Sequence, residues 1–183
     1  MRAVFVLAIG LVLAACTAGG TWISIGDHVG YSPSHFVYAA ADRDFLTKIR
    51  GNPFAEAPAG FQARVLDALQ GAAFVPTHFT ATPDASARTD YFLVVLFNGP
   101  RTLHPRALCQ EADQVTGDPA AGPVRFTLAF CFKDRAISTV EGRATATGSA
   151  DPTLARGLRQ AIAELLPNDV FGTRFGICDP SDC

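Results

Sequence analysis

Tyr91-Phe92-Leu93-Val94-Val95-Leu96-Phe97 is apolar at every position. A strand with one face in water alternates apolar and polar residues, whereas one without alternation is covered on both faces. This run therefore predicts the middle of a sheet with material on either side, and Asn98-Gly99-Pro100 ends it. Downstream, Val124 to Phe132 and Ala136 to Thr147 read as the two arms of a hairpin joined by Lys133-Asp134-Arg135. In the first arm Phe126, Leu128 and Phe130 share one face, and Arg125, Thr127, Ala129 and Cys131 share the other. The return arm sets Ile137, Thr139, Glu141 and Arg143 against Ser138, Val140 and Gly142.

Working outward, 44–50 alternates as a further strand, with Phe45, Thr47 and Ile49 on one face, and 36–40 reads as a strand before it. Residues 77–81 allow a short extended piece, and 101–122 read as a long, turn-rich connection. Two helices complete the pattern. In 59–70, Phe61, Val65 and Leu69 recur every fourth residue, with Pro58 suited to the first turn and Gly71 to the position after the cap. In 152–166, Leu154, Leu158, Ile162 and Leu165 form a stripe behind an Asp151 N-cap and Pro152. Strands are sequential and helices few, which predicts an α+β domain: an antiparallel or mixed sheet of four to five strands with two helices on one face.

The chain has 183 residues, 49% of them hydrophobic and 17% charged, with a formal charge of −2. That suits one domain and excludes the basic field that nucleic acid requires. Met1-Arg2 followed by the uncharged apolar run 3–14 has the form of a signal peptide and is too short to span a bilayer. It ends in Leu13-Ala14-Ala15-Cys16, which resembles the lipobox of bacterial lipoproteins. The resemblance implies cleavage before Cys16, diacylglycerol on its thiol, and acylation of the new amine. In the Gram-negative sorting scheme, Thr17 rather than Asp after the cysteine implies an outer-membrane lipoprotein facing the periplasm. The expected organisation is a signal peptide over 1–15, a lipidated tether and irregular lead-in over 16–35, the α+β domain over 36–167, and a tail over 168–183.

Besides Cys16, four cysteines remain: Cys109, Cys131, Cys178 and Cys183. An even number in an oxidising compartment reads as two disulfides, with three possible pairings. Cys178–Cys183, with Pro180 to turn the chain between them, is preferred, which leaves Cys109–Cys131. A four-cysteine zinc site would need CxxC-type pairs, which are absent.

The phrases Arg50-Gly51-Asn52-Pro53-Phe54, Phe79-Thr80-Ala81-Thr82-Pro83, Arg88-Thr89-Asp90-Tyr91, Leu108-Cys109 and Phe130-Cys131 resemble a family of small uncharacterised Gram-negative lipoproteins over about 44–166. That resemblance implies the address and the fold, and brings no activity. The element order is also similar to that of other small envelope lipoproteins that serve as assembly factors or accessory subunits.

No reaction motif appears. There is no GxSxG; Ser138 falls mid-strand and Ser149 follows Gly148 without that pattern. Cys109 or Cys131 could be a nucleophile near His104, but pairing is the stronger reading. His28, His35, His78 and His104 are scattered singly, so no metal site or cofactor is expected. Asp42 and Asp44 flank Arg43 at a strand start, and Asp179 and Asp182 flank a turn; neither pair reads as acid–base machinery. Arg50, Asn52 and Phe54 are the candidate interaction residues, since an arginine and an aromatic on a stiff turn compose a binding hot spot. The competing reading is a strand-ending turn with Phe54 packed inward. The expectation is a non-catalytic binding or accessory protein of the envelope, with another envelope protein as partner. A small-molecule or lipid carrier using the fourteen phenylalanines is the alternative, and an unrecognised hydrolase is the third.

Overall fold

The computed structural model describes residues 20–119 and 122–169. Its strands are β1 (Thr21–Ile23), β2 (Asp44–Arg50), β3 (His78–Thr80), β4 (Tyr91–Phe97), β5 (Val124–Phe132) and β6 (Arg135–Ala144). The helices are α1 (Pro33–Ala40), α2 (Pro58–Leu69), α3 (Leu108–Glu111) and α4 (Pro152–Leu165), with a 3₁₀ turn at Pro105–Ala107. The expected α+β class holds. The sheet is mixed and six-stranded, in the order β1-β6-β5-β4-β2-β3. The hairpin β5–β6 and the pairs β1–β6 and β4–β5 are antiparallel, while β2 runs parallel to β3 and β4.

β4 lies at the centre and is buried from Phe92 to Phe97, as its unbroken apolar run demands. Leu93, Val95 and Phe97 face the main core beneath α1, α2 and α4. Phe92, Val94 and Leu96 face a second cluster with Leu108, Cys109, Ala112, Ala129 and Cys131. That second cover comes from the segment read as an irregular connection over 101–122. Its 3₁₀ turn and α3 lay Leu108 and Cys109 on the sheet, and the Cys109–Cys131 disulfide ties α3 to β5 with Cα atoms 5.7 Å apart. Cys178 and Cys183 lie outside the described residues, as do Leu13-Ala14-Ala15-Cys16.

Two expectations are corrected. Residues 36–40 are helical: Ser32 accepts from the Ser34 amide as N-cap, Pro33 opens the first turn, and Phe36, Ala39 and Ala40 are buried at helical spacing. Phe36-Val37-Tyr38-Ala39-Ala40 is a short run of apolar and small residues, which by itself does not distinguish a strand from a buried helix segment. The folded domain also begins before residue 36, within the stretch expected to be tether and irregular lead-in. Thr21–Ile23 pairs with Gly142–Ala144, Asp27 bridges Thr139, and the buried Tyr31 donates from its hydroxyl to the Pro167 carbonyl at 2.9 Å. Burial raises the Tyr31 phenol pKa strongly. The expected four to five strands agree roughly with the six observed, of which the edge strands β1 and β3 have only three residues each, too few for a sequence period.

The two expected helices form with the expected signals. Asp151 accepts from the Thr153 amide at 2.9 Å to cap α4, and Gly71 follows α2 at φ +68°. Phe36, Phe45, Phe79, Phe97, Phe126 and Phe130 are almost wholly buried and meet one another, mostly edge to face.

Candidate functional site

The Arg50–Phe54 turn is held by its own chain. The Arg50 Nε donates to the Ala112 carbonyl and its Nη2 to Asp113 at 2.7 Å, where Lys48 also binds. Asn52 donates from Nδ2 to the Glu56 carbonyl at 2.9 Å, and its Oδ1 accepts from the Phe54 amide at 3.0 Å. Phe54 is half-buried and meets Phe61 edge on, 6.1 Å between centroids. All three candidate residues are thus engaged within the fold, in the manner of a strand-ending turn.

Two histidines stand beside a possible catalytic partner. His28 Nδ1 is 2.9 Å from Ser138 Oγ, but Ser138 is buried and donates to the Leu165 carbonyl at 2.6 Å. A hydroxyl whose proton is held by a helix-end carbonyl, out of solvent, anchors α4 to β6. His78 Nδ1 is 2.6 Å from Asp44 Oδ1, and the Asp84 amide donates to Oδ2 of the same carboxylate. Those bonds, the histidine's first, lower the Asp44 pKa. They join the start of β2 to β3 and the loop after it. Asp42 is drawn aside at φ +54°, its amide on the Pro76 carbonyl. His35 is exposed on α1, and His104 Nδ1 accepts from the Arg106 amide at the 3₁₀ turn. Among the described residues, no three His, Cys, Asp or Glu side chains converge as metal ligands.

The best-formed depression lies on the face of the sheet opposite α4, near the β1 edge. Register builds it: Trp22 on β1 pairs with Arg143 on β6, which pairs with Arg125 on β5. These three form one cross-strand row. The alternate residue, Gly142, faces the core, where an added Cβ would come within 2.3 Å of the Phe126 ring and 2.8 Å of Ile23. A side chain there would force the Phe126 ring and the Ile23 side chain to shift, and alternation along β6 turns Glu141 and Arg143 to the opposite, exposed face. Arg101 approaches from the loop after β4, and Leu103 and Pro105 close the far wall. The resulting cleft has a volume of about 230 Å³, and a neighbouring hollow of about 430 Å³ shares Arg101, Arg125 and Arg143 with it.

Each wall is braced. The Arg143 guanidinium lies 5.4 Å from the Trp22 ring centroid. Arg125 donates from Nη2 to the Gly99 carbonyl at 3.2 Å, and its amide donates to Asn98 Oδ1 at 2.9 Å. Asn98 Nδ2 donates onward to the Asp118 carbonyl. Arg106 grips Asp27 with two hydrogen bonds, of 2.7 and 2.9 Å, and fastens the segment after β1 to the 3₁₀ turn. Against the three cleft arginines stand the carboxylates of Glu141 in the cleft and Asp118 in the hollow.

The chain matches no protein-family model and no curated protein. Among solved structures it is similar to a point-variant dodecamer of PelC from Paraburkholderia phytofirmans. That match has 13% identity and a TM-score of 0.41 and covers 81% of this chain and 98% of the other. A second PelC dodecamer from the same organism matches at 14% identity and a TM-score of 0.36, covering 80% and 94%. Likeness at this level carries neither an activity nor a partner across to this chain.

Chemically, the cleft offers three guanidinium groups and one aromatic face, with the Thr127 hydroxyl and the Glu141 carboxylate also in its lining. Planar guanidinium groups on paired strands suit a phosphate or carboxylate. The sequence sets Arg125 and Arg143 on strand faces but not together, and leaves Trp22 in a tether or irregular lead-in. The available signal was Trp22 between Thr21 and Ile23, an aromatic in a short β-prone run.

Proposed function

We propose that this chain is a lipoprotein of the cell envelope, anchored through Cys16 at the outer membrane and facing the periplasm. Its folded domain serves as a non-catalytic binding or accessory protein. It recognises an anionic group, phosphate or carboxylate, in the cleft between Trp22 and the arginines. The convergence of Arg101, Arg125 and Arg143 on one open cleft carries this reading. The lipobox supports the address, and the engagement of Ser138 with Leu165 supports a role without a serine nucleophile.

The address is tested by labelled palmitate, which should enter the wild-type chain and not Cys16→Ser; an unlabelled wild type overturns the anchor. The site is tested by the emission of Trp22, the chain's single tryptophan. Inorganic pyrophosphate should change that emission saturably in the wild type and not in the Arg125→Gln/Arg143→Gln protein. An emission that pyrophosphate leaves unmoved overturns the anion site.

A further inference from the structure

We infer that the cleft face is turned onto the membrane that holds the anchor, with its arginines on the phosphates of anionic phospholipid headgroups. This deepens the reading above and rests on lipidation of Cys16. The first argument is reach. Four peptide steps separate Cys16 from Gly20, the first described residue, and a fully extended chain covers at most about 14 Å in that distance. A domain of this size has a radius of gyration of about 15 Å. The tether is therefore no longer than the body it holds, and the β1 edge stays near the headgroup layer.

The second argument is what that edge exposes. Trp22 is 50% exposed and Ile25 73%, on the stretch directly after the anchor. The hollow lined by Ile25 adjoins the Trp22 cleft, since both share Pro105 and Glu141. Tryptophan suits the bilayer interface, where its ring meets the acyl boundary and its indole N–H stays among polar groups. The other exposed aromatic cluster, around Tyr38 and Phe74, belongs to the helical layer, and there the Arg88 guanidinium already covers the Tyr38 ring at 3.3 Å.

The third argument is charge. Arg101, Arg125 and Arg143 flank the exposed indole, with Glu141 and Asp118 as the opposing carboxylates. Basic side chains beside an exposed aromatic on the membrane-proximal edge complement an anionic lipid surface, and the attraction acts within a Debye length of roughly 8–10 Å. Two anchoring signals, acyl chains and a basic aromatic patch, hold a protein more firmly than either alone.

Trp22 reports on this directly. The mature lipoprotein, purified with its lipid, is placed in vesicles of phosphatidylethanolamine with either phosphatidylglycerol or phosphatidylcholine, with and without brominated acyl chains. In phosphatidylglycerol vesicles Trp22 emission should move to the blue and be quenched roughly twofold by brominated lipid. The shift and the quenching should be weaker with phosphatidylcholine. Arg125→Gln/Arg143→Gln should still float with the vesicles and lose most of the quenching. A wild type that floats with vesicles while Trp22 stays unquenched overturns the docking and leaves the anchor standing. Equal quenching in both vesicle types overturns the headgroup contact. A mature chain that neither carries palmitate nor floats overturns the anchor, and this inference with it.

Discussion

Among the described residues, Phe130 is the one on which the most rings converge. Tyr31, Phe36, Phe45 and Tyr91 all surround it, with centroids 5.8 to 6.2 Å away. It joins the lead-in, α1, β2 and β4 at one point. Phe130→Ala should therefore cost about 3–5 kcal/mol, read as a lower urea midpoint at unchanged slope. Its inward direction is legible from alternation with Phe126 and Leu128; the identity of its neighbours is not, because they come from four separate segments. The same division runs through the Arg50–Phe54 turn. The bond from the Phe54 amide to Asn52 Oδ1 spans two residues and follows from local turn chemistry. The capture of Arg50 by Asp113 spans 63 positions and depends on where α3 leads the chain.

At the scale of elements, long periodic segments were legible and short ones were not. α4 carries its stripe, its cap and its opening proline within one window of sequence. α3 has four residues, and its sequence shows no helical period. It is held by what it lies on: Leu108 and Cys109 are buried against β4 and β5, and the disulfide spans 22 positions. Closing a loop of that length restricts the unfolded chain by about 3 kcal/mol. Cys109→Ala/Cys131→Ala should lower stability by roughly that amount under non-reducing conditions, as followed by urea unfolding. The α1 segment reads as a strand in sequence because five apolar or small residues in a row carry no period that separates the two states. Burial of Phe36, Ala39 and Ala40 on one side decides for the helix.

At the scale of the whole molecule, four of the described carboxylates that join segments distant in sequence or cap a helix have a lowered pKa. His78 and the Asp84 amide act on Asp44, Ser149 on Glu56, Lys48 and then Arg50 on Asp113, and the Thr153 and Thr147 amides on Asp151. The folded state therefore binds fewer protons than the unfolded chain in the acid range. The stability these groups add is present above their unfolded values of 3.8 for aspartate and 4.5 for glutamate. It drains away as pH falls through the lower folded values. Urea midpoints followed by circular dichroism should be level near neutrality and decline progressively below about pH 4. A midpoint unchanged down to pH 2 contradicts this linkage. By itself the sequence determined the α+β class, the doubly covered central strand, the β5–β6 hairpin and both long helices, because each is written as a period within one local window. Only the tertiary structure decided the edge strand β1, the cover laid by α3, and the meeting of Trp22 with Arg101, Arg125 and Arg143. Those depend on strand register and chain return over separations from 22 positions to more than a hundred, where no local pattern records which residues will become neighbours.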